Sequence, residues 1–332
     1  YVMVQRRNHE GYVHVWDYLN EFVSRYGIPI SYFESYFADG TWTLPNEFNK
    51  ENHPYKYGYG KLMHSGYHSM DLFSWITSIN DQISEKKPNK IRLYVNRFGA
   101  PDFLSQINQK DYHKLFGKTK KIDEFFKEYD KNDFKKYGEL DVFVMIQMIR
   151  DDIIVNTSSI TLQQNSFSRR SWLDYPEDPY KGNGRLRHER QNIQVSNLLN
   201  IQIHTYQSYE SRHKQAESPN VSGVGHEHHM DVFFFRNSDL IGGKPLEKID
   251  YGEIMREKNS TDKYYMGHNE KGKDFIIHKF LAREKDTTEL MHHARANKIL
   301  SKICEALSQQ QSGLIPYIEY SLEGGENEKL TN

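Results

Sequence analysis

Two consecutive runs, Leu140 to Ile149 and Ile153 to Leu162, are aliphatic and β-branched, and only Arg150, Asp151 and Asp152 separate them. Branched side chains suit a pleated surface better than a helix, and Asp favours tight turns through its local backbone hydrogen bonds. The spacing predicts a β-hairpin, so whatever fold forms must contain a sheet. Ile91, Leu93 and Val95 alternate with Arg92, Tyr94 and Asn96 as a half-buried strand does, and Leu199, Ile201 and Ile203 alternate with Asn200, Gln202 and His204. Val232 to Phe235, Phe275 to Leu281 and Ile315 to Tyr320 read as further strands.

Helical periods lie between these runs. Val15, Tyr18, Leu19, Phe22 and Val23 form one stripe that stops at Gly27 with Pro29 beyond it. Leu72, Trp75, Ile76, Ile79 and Ile83 form another, starting near Ser69 and ending before Pro88. A shorter face runs through Ile122, Phe125, Phe126 and Tyr129. Asp286 and Glu289 read as the cap of a long C-terminal helix carrying Leu290, Ile299, Leu300, Ile303 and Leu307 and ending near Gly313. The sum is an α+β fold with mostly antiparallel sheets and a few amphipathic helices. The polar stretch with Pro176, Pro179, Gly182 and Gly184 predicts a division into an α+β unit at 1–165, an arginine-rich connection at 166–190 and a β-rich unit with the C-terminal helix at 191–332.

Composition narrows the class. The 332 residues include 45 aromatic rings (18 Phe, 23 Tyr and 4 Trp) within a hydrophobic fraction of only 37%, a profile that excludes collagen-like and disordered chains. A net charge of −1 provides no global field toward nucleic acid or an anionic membrane, and no apolar run approaches the roughly 20 residues of a membrane helix. The single cysteine, Cys304, allows no internal disulfide and points to a reducing compartment, so a cytoplasmic or virion location is expected. Opening at Tyr1 without an initiator methionine, the chain reads as processed, trimmed or a fragment.

The densest chemistry-bearing run is His226-Glu227-His228-His229-Met230-Asp231, just ahead of the apolar Val232 to Phe235. On a strand His226 and His228 share one face, and two imidazoles at that spacing suit a divalent metal completed by Asp231 or a distant His such as His204 or His278. The plainer reading is a polar loop meeting a buried strand. This spacing resembles the paired-histidine strand of the HUH single-strand nucleases and relaxases, on His226 and His228 alone. Glu227 stands where that family carries an apolar residue, and Tyr251, the nearest downstream tyrosine, lies in a turn-like Asp-Tyr-Gly context, so the family is not adopted. His292 and His293 flank the C-terminal stripe and are expected at the surface, while Glu139–Asp141 and Asp151–Asp152 read as structural pairs. No P-loop and no Gly-x-Ser-x-Gly elbow is present.

Two surfaces invite binding. Nine rings fall between Tyr32 and Gly60, among them Tyr55, Tyr57 and Tyr59, which would point the same way if extended; with so few aliphatic residues available, a core role for most of these rings is the plainer reading. Arg169, Arg170, Arg185 and Arg187 stand among Trp172, Tyr175 and Tyr180, a mixture that suits carboxylates or phosphates. With no complete catalytic motif, the sequence reading is a non-catalytic structural or interaction subunit of a larger assembly, virion or phage-tail-like. Its alternatives are a metal-dependent phosphodiester-cleaving enzyme and a carbohydrate- or nucleic-acid-binding module. Other protein subunits are the expected partners, with nucleic acid at the local basic loops and a divalent metal as the candidate cofactor.

Overall fold

A computed structural model describes residues 1–38, 48, 51, 55–127, 136–165, 186–208, 229–251, 254 and 268–322. Helix α1 (Glu10–Tyr26) turns its Tyr12, Val15, Leu19, Phe22 and Val23 face to the core and stops, as the sequence predicts, where Gly27 adopts φ 62°. Strand β1 (Tyr32–Ala38) follows, then a π-turn at Leu62–Gly66 that runs directly into α2 (Tyr67–Thr77). Strand β2 (Lys90–Phe98) leads to three short helices, α3 (Ala100–Gln106), α4 (Gln109–Phe116) and α5 (Lys120–Phe125). Strands β3 (Asp141–Arg150) and β4 (Ile153–Gln163) form the expected hairpin. Asp151 at φ 46° and Asp152 at φ 66° give its two-residue turn the left-handed backbone that matches strand twist.

Strands β5 (Leu186–Val195), β6 (Leu199–Ser208) and β7 (His229–Arg236) come next, then α6 (Ser238–Ile241) and β8 (Leu246–Asp250). Helices α7 (His268–Ala282) and α8 (Ala294–Gln311) precede the last strand, β9 (Tyr317–Ser321). All nine strands form one sheet in the order β8-β7-β6-β5-β1-β4-β3-β2-β9. Every pairing is antiparallel except β1 with β4. The fold is α+β, and strands from both sides of residues 166–190 are neighbours in the same sheet.

Two expectations are corrected. Phe275 to Leu281 belongs to α7, not to a strand; its apolar residues are mostly exposed, with Ile276 buried, so the run never had two sheet faces to fill. The C-terminal α-helix begins at Ala294 rather than near Asp286. Glu289 does reach back, Asp286 N–H donating to Glu289 Oε1 at 3.0 Å, but Asp286 Oδ1 accepts from Thr288 N–H at 2.9 Å rather than from Glu289, and these bonds close a turn ahead of the 3-10 segment Leu290–His293.

Helices cover one face of the sheet. Phe33, Phe37, Ile91, Val144, Ile160, Ile193, Ile201 and Phe234 point into a core completed by α1, α2 and α8. Residues 69–77 of α2 are all buried, because α2 packs on both α8 and β1. On the other face Tyr94, Phe143 and Met145 are partly exposed, and amides link across strands, as in Asn200 Nδ2–H to Asn192 Oδ1 at 2.6 Å. Among the described residues no helix is long and apolar enough to cross a membrane.

A buried amide ties the helical layer to the sheet. Asn80 accepts from Ile30 N–H at 2.7 Å and donates to Ile30 O at 2.9 Å, while Asn156 Nδ2–H reaches the same carbonyl at 3.0 Å. Asn80→Ala strands the Ile30 amide in an apolar site and is expected to cost about 1–3 kcal/mol. Gln82→Ala, at an exposed position, is expected to stay within about 0.5 kcal/mol. Urea unfolding of the two variants measures the difference.

Candidate acid–base site

The N-terminal residues are held by two consecutive arginines that diverge. Arg6 pairs with Glu189 on β5, and Gln191 bridges from Glu189 Oε1 at 3.1 Å to the Tyr12 hydroxyl at 3.1 Å. Arg7 turns the other way and grips Asp71 of α2 with both arms of its fork, Nε–H to Oδ2 at 3.0 Å and Nη2–H to Oδ1 at 2.6 Å. Its remaining donors reach Thr287 O at 2.8 Å and His292 O at 3.3 Å. The guanidinium lies 5.9 Å from the Trp75 ring, which stacks in parallel on Trp16.

Asp71 has a second partner. His293 Nδ1 lies 2.8 Å from Asp71 Oδ1 and 2.7 Å from the Tyr67 hydroxyl, with His293 and Asp71 only 0% and 1% exposed. Burial alone would raise the Asp71 carboxyl, but bonds from His293 and Arg7 and the Arg7 charge hold it below the usual range. Asp71 is therefore a carboxylate, so His293 Nδ1 carries a proton and donates it to Asp71, sharing it with the Tyr67 oxygen. In this contact the Tyr67 oxygen is the acceptor. Burial and the neighbouring Asp71 charge push the Tyr67 hydroxyl up to about 12, against a smaller opposing pull from Arg7.

Tyr67 opens α2 beside two other proton carriers, His64 in the π-turn and His68 in the first helical turn, all three half-buried. Single π-turns recur at functional sites. Arg7 also lines an open cleft of about 780 Å³, together with Asn8, Glu10, Lys279, Asp286 and His292. Tyr67, His64 and His68 are not among the residues lining that cleft; Arg7 is the member of the hydrogen-bonded chain that reaches it.

None of this site was read from the sequence. The signal was there: His64, Tyr67, His68 and Asp71 recur at helical spacing alongside the Leu72, Trp75 and Ile76 stripe, with Asp71 one turn before Trp75. His293, expected at the surface, is fully buried because Asp71 and Tyr67 receive it, whereas His292 is exposed.

The residues singled out by sequence are dispersed or lie elsewhere. His226, His228, Arg169, Arg170 and Arg185 lie outside the described residues. Arg187 falls in β5 opposite Gln207. Asp231 sits in β7 opposite His204, 7% exposed, with Lys248 Nζ at 3.0 Å. His278 lies on α7, not on a strand, facing Asp274 at 3.5 Å. Among the described residues no group of three or more His, Cys, Asp or Glu could hold a metal ion. Tyr55–Tyr57 is a 3-10 turn rather than extended chain, so Tyr55 is 1% exposed and Tyr57 71%, and the three tyrosines do not present one face.

No family model and no curated protein matches the chain. Solved structures do. A putative NADPH-dependent oxidoreductase from Desulfitobacterium hafniense matches at 8% identity and TM-score 0.43, covering 92% of this chain and 60% of that one. The WlbA dehydrogenase from Bordetella pertussis, in complex with NADH and UDP-GlcNAcA, matches at 10% identity and TM-score 0.42, over 96% and 63%. An inositol dehydrogenase homolog from Azotobacter vinelandii, complexed with NAD+, matches at 8% identity and TM-score 0.42, over 96% and 64%. The chain spans 56–64% of the length of the first such structures. These neighbours are described as oxidoreductases or dehydrogenases, which runs against the expectation of a non-catalytic structural or virion subunit; at these scores they assign no function, residue, substrate or cofactor to this chain.

Replacing Asp71 by Asn leaves Arg7 buried without a counter-charge, and a loss of about 3–5 kcal/mol is expected in urea unfolding. A depressed carboxylate contributes stability that is full above its unfolded pKa, about 4, and is lost as the pH falls below that toward its folded value. Stability of the wild-type protein is therefore expected to drop more steeply below pH about 4 than that of Asp71→Asn. Parallel acid limbs would show that Asp71 is not the group responsible.

Proposed function

We propose that this chain carries the acid–base centre of an enzyme that transfers a proton at an oxygen atom of a small polar substrate, with Tyr67 as the group that meets the substrate. The observation that carries the reading is the continuous chain Tyr67–His293–Asp71–Arg7. In it a half-buried hydroxyl is backed by an imidazole, a carboxylate and a guanidinium that are all buried. Asp71 fixes the His293 tautomer, and the His293 Nδ1–H supports the Tyr67 oxygen when that oxygen carries negative charge, the orienting logic of hydrogen-bonded catalytic chains.

A hydroxyl held at about 12 gives up its proton readily only to a stronger base. The alkoxide formed when a separate hydride donor delivers hydride to a carbonyl carbon is such a base, its oxygen taking the Tyr67 proton, so interconversion of carbonyl and hydroxyl compounds with an external hydride donor or acceptor is the reaction class this centre suits. The reading rests on the hydrogen-bonded chain. A nicotinamide dinucleotide needs a cradle for its pyrophosphate, and the sequence holds no Gly-x-Gly-x-x-Gly turn to provide one. No residue of the centre is assigned to that group, and no step is routed through it.

Tyr67→Phe removes the proton and keeps the ring. Turnover of carbonyl or hydroxyl compounds, supplied with a hydride donor or acceptor, is expected to fall about 10²- to 10⁴-fold with the melting temperature retained. Equal turnover by the two proteins, or no turnover by the wild type across the series, overturns the reading.

A further inference from the structure

The helix that carries the site does not cap itself. The residues ahead of it, Tyr57-Gly58-Tyr59-Gly60, include no Ser, Thr, Asp or Asn, and neither the π-turn nor α2 receives a side-chain cap from the residue preceding it. The first amides of a helix nevertheless need acceptors. One residue from far along the chain supplies two of them. Lys61 N–H donates to the Glu139 carbonyl at 2.8 Å and Leu62 N–H to Glu139 Oε1 at 2.7 Å; His64 N–H then takes up the helical pattern with Gly60 O at 3.0 Å.

This approach requires glycine on both sides. A Cβ on Gly60 would fall on the Glu139 carboxylate, and a Cβ on Gly138 would fall on the backbone of Gly60 and Tyr59. Gly138 N–H closes the crossing on Tyr55 O at 2.7 Å. Glu139 is 7% exposed, and burial pushes its carboxyl up against the lowering effect of its backbone bonds and of Arg97. A carboxyl group kept in such a place, aimed at a helix start, is part of the construction of that helix.

We infer that Glu139 is a positioning residue for the acid–base site: capping the π-turn from outside the helix, it fixes the register at which His64, Tyr67 and His68 leave it. A π-turn holds one residue more than an α-turn spans. Without the external acceptor the turn can relax to α geometry, which shifts His64 relative to Tyr67 and His68. The assignment rests on the acid–base reading of the site, while the cap itself can be measured without turnover.

Amide hydrogen exchange and histidine NMR on the full chain, with Glu139→Ala and Glu139→Gln, provide the test. In Glu139→Ala the Leu62 amide is expected to exchange about ten-fold faster and the His64 and His68 ring signals to move, while sheet amides such as Ile146 and Ile160 keep their protection. Glu139→Gln, which retains an acceptor oxygen, is expected to restore most of the Leu62 protection. In the turnover assay kcat should follow the same order, with KM within about two-fold. Unchanged Leu62 protection in Glu139→Ala overturns the inference, as does a loss spread evenly over the sheet amides. Should Glu139→Ala not fold, Glu139→Asp, its carboxylate withdrawn by one methylene, takes its place, and Leu62 exchange equal to that of Glu139→Gln overturns the inference. Full turnover by Tyr67→Phe, together with a freed Leu62 amide in the Glu139 variant, would remove the proposed function and leave the cap standing.

Discussion

A guanidinium and a carboxylate buried together organise this molecule. Removing either ion from water costs several kcal/mol, and only close geometry with every donor satisfied offsets that cost. Arg7 comes close to the condition, with two bonds to Asp71 and two to carbonyls of the 287–292 segment engaging four of its five N–H donors. The partners come from separate parts of the chain, Arg7 and Asp71 being 64 residues apart and Tyr67 and His293 226 apart. The pair can form only when the N-terminal segment, α2 and the approach to α8 are all in place. Arg6, pointing the opposite way to Glu189, anchors the same short segment to the sheet.

Around that anchor the sheet solves the problem set by few aliphatic side chains. One face is apolar and covered; the other carries rings, amides and hydroxyls that pair across strands, as antiparallel sheets with one wet face do. The register brings the ends of several strands together: Ala38 lies opposite Gln163 and His188, Leu186 opposite Ser208, and Tyr206 opposite His229. Asp141 joins this end by pairing with Gln163 and by accepting from Gln164 and Asn165 amides, both at 2.8 Å. Glu139 and the π-turn it caps sit just before Asp141 in this arrangement.

What the sequence reveals follows from range. The β3–β4 hairpin, α1 with its Gly27 stop and the alternations of β2 and β6 are local patterns, and each was legible. β1 was not, because its inward-facing Phe33, Ser35 and Phe37 stand in a segment so rich in rings that no alternation marks a strand, although a core role for most of those rings was legible. α7 was misread because Phe275, Ile276 and Ile277 resemble a buried strand, and nothing local says that only one side of the run is covered. The burial of His293 is the extreme case. Its imidazole goes inside because a carboxylate waits there, and that carboxylate is tolerated because Arg7 is already on it.

The same dependence sets the chemistry. With two guanidinium bonds and an imidazole bond, Asp71 has little left to offer a metal ion, and its remaining influence is electrostatic: it fixes the proton on His293 Nδ1 and raises the Tyr67 hydroxyl. Arg7 moderates that influence, because its charge acts on Tyr67 in the opposite sense. Tyr67 thus stands between a carboxylate that keeps its proton on and an imidazole N–H that supports its oxygen once the proton has left. A structural ion pair needs no such outlet. Here the buried pair ends on a half-buried hydroxyl at the start of α2, beside His68, and the proposed acid–base role rests on that termination.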